Sequence, residues 1–319
     1  MNKSIPPHGT EKVIISRKKF SDLIFENLTF VFALMILGIV LWIIYEMYFY
    51  SGESRSAFGW EFIWSNEWEP VRKEFGALAF VYGTAVSSIL ALIIALPLSL
   101  GVAIFLSELA PKIIKSTLSF VIEILAAIPS IIFGFWGIFV LAPFMRSDLQ
   151  PFLQKYFGYL PFFQGTPLGT GLLTAGIILA IMIIPIITAI SRDVLKAIPQ
   201  SQREAAYALG ATKWEAIKMA LLNAKSGILG ATVLGFGRAV GETMAVTMVI
   251  GNRADINISF FEPAYTMASV IANEFAEASE ILHLSSLIEV GLLLFGVTFL
   301  INSFARLLIF SVTRNAEGR

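Results

Sequence analysis

Two ionisable side chains interrupt an apolar and glycine-rich stretch, Gly235-Phe-Gly-Arg-Ala-Val-Gly-Glu-Thr-Met-Ala-Val246: they are Arg238 and Glu242. Four residues apart on a helix, they share one face. A guanidinium presents a planar fork of N–H donors that can hold two oxygens of an oxyanion at once, phosphate or a carboxylate for example. A carboxylate beside it would hold the Arg while the site is empty, and would yield or take a proton when an anion arrives. That gives transient neutralisation without a trap too deep to leave. The same spacing also suits an internal Arg–Glu pair that only fixes helix packing, and the residues alone leave both readings open. Gly237 and Gly241 flank the Arg with GxxxG spacing, which predicts close approach of a neighbouring helix. Arg238 is the one Arg expected deep inside a span. An Arg near a helix centre in lipid costs roughly 2.5–3.5 kcal/mol, so its presence calls for a reason.

The surroundings that position this pair are set by composition. Apolar residues make up 56% of the 319 and charged residues only 14%, with a mean hydropathy of +0.77. A water-soluble domain carries about 25% charged residues, so the chain is expected to be an all-α integral membrane protein. Net charge is zero, and no basic field argues for nucleic acid. There is no Cys, and the only histidines are His8 and His283. Disulfides, thiolate metal sites and cysteine nucleophiles are excluded, and no metal site is expected. No catalytic residue is assigned, because no His, Asp or Ser cluster with catalytic spacing falls within the spans.

Six apolar runs are long enough to cross a bilayer, near 24–49, 76–107, 117–142, 170–190, 226–250 and 286–309. Pro97, Pro129 and Pro185 lie inside three of them and are expected to bend those helices. Glu123, in the third, reads as structural or interfacial. Sixteen Lys and Arg fall in the N-terminal segment (Lys3, Lys12, Arg17, Lys18, Lys19), the second and fourth connections and the C-terminal end, against six in the other connections. That asymmetry predicts both termini in the cytoplasm. The basic N-terminus reads as an inside anchor, not a cleaved signal. Trp60, Trp64 and Trp68 would form one stripe on a helix, suited to the lipid interface. Residues 144–169, rich in Phe and Tyr, are expected to be half-immersed. The acidic connection 251–285 either faces a soluble partner or is simply solvated.

The long cytoplasmic connection, 192–225, contains Pro199-Gln-Ser-Gln-Arg-Glu-Ala-Ala-Tyr-Ala-Leu-Gly-Ala-Thr-Lys-Trp-Glu215. Ser201 with Glu204, and Thr212 with Glu215, read as two capping boxes. Gly210 stands between them, where a helix end needs a left-handed residue. The pattern predicts helix, glycine, helix. Its small apolar face either enters a groove on another protein or folds against the base of the bundle. Glu204-Ala205-Ala206 followed by Gly210 resembles the EAA loop of binding-protein-dependent ABC importer permeases. In that family Leu-Pro usually follows; here Leu221-Leu222-Asn223 stands instead, and the turn after the second helix is expected to differ. No Gly-x-x-x-x-Gly-Lys-Ser/Thr phosphate loop occurs in the chain, so ATP hydrolysis would belong to a partner.

Gly235 to Asn252, and Ala127-Ile-Pro-Ser-Ile-Ile-Phe-Gly-Phe-Trp-Gly-Ile-Phe-Val-Leu-Ala-Pro143, resemble phosphate-specific importer permeases of the PstC type, over about residues 76–310. The resemblance implies a type I ABC importer permease fold with six transmembrane helices. It implies a pore subunit, not an enzyme, that moves inorganic phosphate inward by alternating access. Its implied partners are a second permease (PstA type), an ATPase dimer (PstB type) that uses ATP and Mg, and an extracytoplasmic phosphate-binding protein (PstS type). By position, Arg238, Glu242 and Thr243 would lie on the substrate path, and Glu204, Ala205, Ala206 and Gly210 would dock the ATPase. The expected organisation is an N-terminal segment 1–23, a first span with outer loop 24–75, a permease domain 76–312 and a tail 313–319. An ABC permease for another oxyanion, or an ATP-independent secondary carrier, are the competing readings.

Overall fold

The computed structural model describes residues 20–317, with side chains from Ile24 to Leu307 and of Ile309 and Phe310. The expected basic N-terminal anchor, and the side chains of Arg314 and Arg319, lie outside these residues. The chain divides into two units, Met1–Glu46 and Met47–Arg319. The first holds most of α1 (Phe20–Tyr50), a 31-residue apolar helix.

The second unit begins, after the end of α1, with short helices α2 (Gly52–Phe58) and α3 (Glu61–Trp64). An antiparallel hairpin follows, β1 (Trp68–Glu69) with β2 (Glu74–Phe75), pairing Trp68 with Phe75. The tryptophans therefore do not form one helical stripe. Trp60 and Trp64 are exposed. Trp68 packs edge-on against Phe75 and Phe80 and donates to Glu274 Oε2 at 2.8 Å. Long helices then alternate with shorter ones: α4 (Leu78–Ile104), α5 (Lys112–Ala127), α6 (Ser130–Trp136), α7 (Ala142–Phe144), α8 (Gln150–Phe157) and α9 (Leu172–Ala197). After them come α10 (Gln200–Ala208), α11 (Lys213–Val240), α12 (Met244–Val249), α13 (Met267–Glu274) and α14 (Ile281–Glu317).

Six segments among the described residues are long and apolar enough to cross a membrane: Ile24–Tyr50, Leu78–Leu109, Ser130–Phe157, Leu172–Ala197, Lys213–Val240 and Ile281–Leu307. Only helices satisfy their own backbone groups in lipid, which is why each span is helical. The third span is displaced from its expected place at 117–142. Pro129 does not bend a helix there. It ends α5 and starts α6, and the span runs on through π-helical turns at Gly137–Leu141 and Met145–Leu149 to Phe157. Residues 144–157 thus belong to a span instead of a half-immersed loop. The fifth span is displaced too, ending at Val240 instead of 250.

The core is built around α9, of whose 26 residues 16 are buried. Its main partner is α4, which turns Ser87, Ala91, Ala95, Ser99 and Ala103 toward the interior. Small residues every three or four positions let the two helices approach closely. Pro97 and Pro185 stay within their helices. Beside them, Ser99 Oγ donates to the Ile184 carbonyl (3.3 Å) and Thr188 Oγ1 to that of Ser99 (3.4 Å). These bonds tie α4 to α9 close to the two prolines. The connection 251–280 folds back over one end of the bundle. Phe261, Tyr265, Met267 and Val270 are buried, and the Met267 N–H donates to Thr84 Oγ1 (2.9 Å).

Candidate functional site

The fifth span breaks between the two residues expected to pair. α11 ends at Val240, Gly241 and Glu242 leave the helix, and the chain resumes as α12. Glu242 is only 9% exposed. Its Oε1 accepts from the Ala245 N–H at 3.3 Å, capping the next helix instead of reaching back to Arg238. An acidic side chain can satisfy a free N–H of a helix start in this way. Arg238 sits in the last turn of α11, is exposed, and makes no ion pair or hydrogen bond among the described residues. The expected Arg–Glu pair is therefore absent. Thr243 Oγ1 donates weakly to the Gly241 carbonyl (3.4 Å).

The break is held from outside. α12 packs on α6, where a Cβ on Gly134 would lie 2.6 Å from Met248 Sδ and 3.1 Å from Ala245 Cα, so glycine is required for the approach. Asn252 Nδ2 donates to the Thr247 carbonyl (2.8 Å), and the Gly171 N–H to that of Val249 (2.9 Å), closing the far end of α12. The close approach expected at Gly237 and Gly241 falls elsewhere: Gly235 meets Ile187. The faces of Gly237 and Gly241 meet no other helix closer than Asn302, 4.0 Å from Gly237.

Burying an Arg in a packed span without a partner would cost the roughly 2.5–3.5 kcal/mol of insertion. A helix C-terminus returns about 0.3–1 kcal/mol to a cation in its last turn. The difference is not recovered by any internal contact, and a packing role is the weaker account of Arg238. Interrupted helices place polar backbone at membrane depth only where it is buried or lines a cavity.

The second constellation is the docking loop. α10 runs from Gln200 with Pro199 before it, so Ser201 lies inside the helix and does not cap it; Glu204 accepts from Gln200 Nε2 at 3.0 Å. The capping box expected at Thr212 and Glu215 is formed. Between them Gly210 takes φ +83°. Its N–H donates to Tyr207 O, and that of Ala211 to Ala206 O, the paired bonds of a Schellman motif. No turn follows where the family has Leu-Pro. Leu221, Leu222 and Asn223 continue α11 as one 28-residue helix from the loop into the span.

The loop has one face turned to the bundle and one left exposed. Glu204, Ala205 and Gly210 are exposed, as is Leu209 at 90%. Ala206 is buried. Arg203, which sequence reasoning counted only as a positive charge, fastens the inner side. It donates to both carboxylate oxygens of Glu108 (2.6 and 3.1 Å) and to the carbonyls of Ile198 (2.8 Å) and Leu195 (2.9 Å). Those carbonyls lie at the C-terminal end of α9, whose orphan acceptors need donors. Asn223 Nδ2 donates to Gln202 Oε1 (2.7 Å), tying α10 to α11. Arg192 was likewise expected in the loop. It lies within α9, 5% exposed, with Nε on Asp193 (2.8 Å) and Nη2 on Glu123 (3.2 Å). Arg238 is therefore not the one Arg deep in a span, and Glu123 has an ion-pair role.

Six helices long and apolar enough to cross a membrane, a helix–glycine–helix loop and a broken helix whose Arg238 has no partner among the described residues are the features to set beside known proteins. Residues 95–314 match the family described as binding-protein-dependent transport system inner membrane component, and the chain belongs to that family: a transport subunit, not an enzyme. Among particular relatives, the phosphate transport system permease protein PstC of Pasteurella multocida is 47% identical over 303 residues, 93% of this chain and 94% of that protein. The PstC of Haemophilus influenzae is 44% identical over 92% of this chain and 96% of its own. A probable phosphate transport system permease protein PstC of Methanocaldococcus jannaschii is 36% identical over 85% and 88%. The fold matches that of a methionine ABC transporter, MetNI, solved in inward-facing conformations, with a TM-score of 0.53. The match covers 77% of this chain and 99% of that one at 20% identity, which speaks for the type I importer fold alone.

Proposed function

We propose that this chain is the pore-forming subunit of an ATP-driven importer of inorganic phosphate. The observation that carries the reading is Arg238, an exposed guanidinium without an internal partner at an interruption of a membrane helix. Its planar donors match two oxygens of a tetrahedral oxyanion. Glu242, tied to the start of α12, does not neutralise it. The names of the relatives supply the particular oxyanion. Thr243 lies in the break and offers a hydroxyl on the same route.

The remaining parts follow from the docking loop. A PstB-type ATPase dimer, using ATP and Mg, receives the exposed face of Glu204, Ala205 and Gly210. A PstA-type permease completes the pore, with the open faces of Gly237 and Gly241 available to it. A PstS-type binding protein delivers phosphate on the opposite side. The excess of Lys and Arg near the loop supports a reading in which that end, and both termini, face the cytoplasm and the complex lies in the inner membrane. Closure of the ATPase shifts the population between inward- and outward-open states, and phosphate passes Arg238 during the change.

The test is uptake of radiolabelled phosphate by the reconstituted complex, with sulfate and molybdate as competitors. ATP-dependent uptake that only phosphate competes supports the reading. Preference for sulfate or molybdate would assign another oxyanion, and uptake by this chain without an ATPase subunit would assign a secondary carrier.

A further inference from the structure

A polar seam runs between α5 and α9 on the docking-loop side of the bundle, away from the broken helix. On α5, Lys112, Lys115, Ser116, Ser119 and Glu123 recur every three or four residues and so share one face. Opposite them α9 contributes Arg192 and Lys196, again four apart. Lys112, Lys115, Ser116, Ser119 and Lys196 border a cavity of about 440 Å³ together with Glu123. A second cavity, of about 480 Å³, shares Lys115 and Lys196 and extends to Arg203, Glu204 and Tyr207 of α10 and to Glu108, which Arg203 engages.

The charges in this seam do not balance. The two carboxylates, Glu123 and Asp193, are both engaged by Arg192, at 3.2 and 2.8 Å. Lys196 Nζ is 3.8 Å from Asp193, and Lys115 Nζ donates only to the Ser107 carbonyl at 3.2 Å. Lys112 has no ion-pair partner among the described residues. Three ammonium groups thus face one hydroxyl-lined cavity with little neutralisation. Ser119 Oγ, Ser191 Oγ and Arg192 Nη1 are buried without a hydrogen-bond partner among the described residues, and of the three residues only Ser119 borders the cavity. Three ammonium groups around the exposed hydroxyl of Ser116 suit an anion with several acceptor oxygens.

We propose that the α5–α9 seam binds a phosphate group, as a second oxyanion site on the cytoplasmic side of the route. Lysines act there as point charges around the anion, and the exposed Ser116 hydroxyl donates to its oxygens. The source is either free orthophosphate released past Arg238 or the phosphodiester of an anionic phospholipid, which basic pockets at a membrane face also hold. Free phosphate as source rests on the import reading, whereas the site itself does not. Because the second cavity continues to the docking helix, occupancy of the seam would be felt beside Arg203, and cytoplasmic phosphate would act back on the transporter.

Lysine acetylation footprinting of the full-length chain, purified with its copurifying subunits in nanodiscs, tests this. In phosphatidylcholine nanodiscs, inorganic phosphate at about ten times its Kd is expected to lower labelling of Lys112, Lys115 and Lys196 roughly tenfold relative to chloride of equal ionic strength. Labelling of exposed Lys218 should not change. Protection by phosphatidylglycerol without added phosphate, and not by phosphate in neutral lipid, assigns the lipid source. Protection in neither arm overturns the site. Ser116→Ala, which removes the exposed hydroxyl, and Lys196→Gln should each weaken protection of the remaining lysines; unaltered protection in both variants also overturns it. A complex that imports phosphate without protection refutes only the seam, and protection without import refutes only the transport reading.

Discussion

Two arginines in the same unit are treated in opposite ways. Arg203 makes four hydrogen bonds, two to Glu108 and two to the end of α9, with the paired side chains 17% and 11% exposed. Arg238 makes none and is exposed beside a helix break. A cation whose donors are used up holds structure together; one whose donors are free is available to a ligand. On the proposed function, the difference separates a joint beside the loop from a site open to cargo, although both residues are the same type within one chain.

The comparison predicts that removing Arg238 has the larger effect on transport. Arg238→Ala loses a charge-assisted pair worth roughly 2 kcal/mol, so phosphate uptake should fall at least about 30-fold. Copurification of the ATPase subunit should persist, since no ion pair or hydrogen bond among the described residues depends on Arg238. Uptake at the wild-type rate would assign Arg238 to structure and erase the contrast. Arg203→Ala should act by another route. Breaking a fully buried pair costs roughly 3–5 kcal/mol; discounted for residual exposure, about 2 kcal/mol is expected here, read as reduced thermal stability and weaker ATPase association. Adding Glu108→Gln should recover part of the loss, because the stranded carboxylate is then neutral. No recovery in the double variant would mean that the carbonyl bonds, not the ion pair, carry the joint.

Two smaller effects sharpen the docking side. Glu204→Lys reverses a charge on the exposed face, and copurification with the ATPase should weaken severalfold with the fold intact. Equal recovery of the subunit would exclude that face as the contact. For Gly210→Ala, no atom lies within 4 Å of the added Cβ. Only the backbone strain of φ +83° opposes it, roughly 1–2 kcal/mol. A loss of thermal stability much larger than that would point to a contact supplied by a partner.

The sequence disclosed the number of spans because lipid demands long apolar runs, and it disclosed the loop because Thr212, Glu215 and Gly210 act locally. It misplaced what depends on neighbours. Pro97, Pro129 and Pro185 look alike in the sequence. Pro97 and Pro185 lie beside hydroxyl bonds between α4 and α9 and stay within helices, whereas Pro129 ends one. Glu242 appeared to face Arg238 because an unbroken helix was assumed; the N–H of Ala245 competes for its carboxylate. The pairings of Arg203 with Glu108 and of Arg192 with Glu123 span 95 and 69 residues, and no local spacing announces them. The free state of Arg238 was out of reach for the same reason.

The unbroken run of α11 from Thr212 to Arg238 also fixes an angular phase. A helix advances about 100° per residue, so the direction in which Arg238 points is locked to the orientation of the docking cap. One residue inserted or deleted anywhere between Lys213 and Arg238 would turn the guanidinium by that angle while leaving both ends chemically intact. Length in this stretch is therefore as much a part of the transport chemistry as the identity of the Arg.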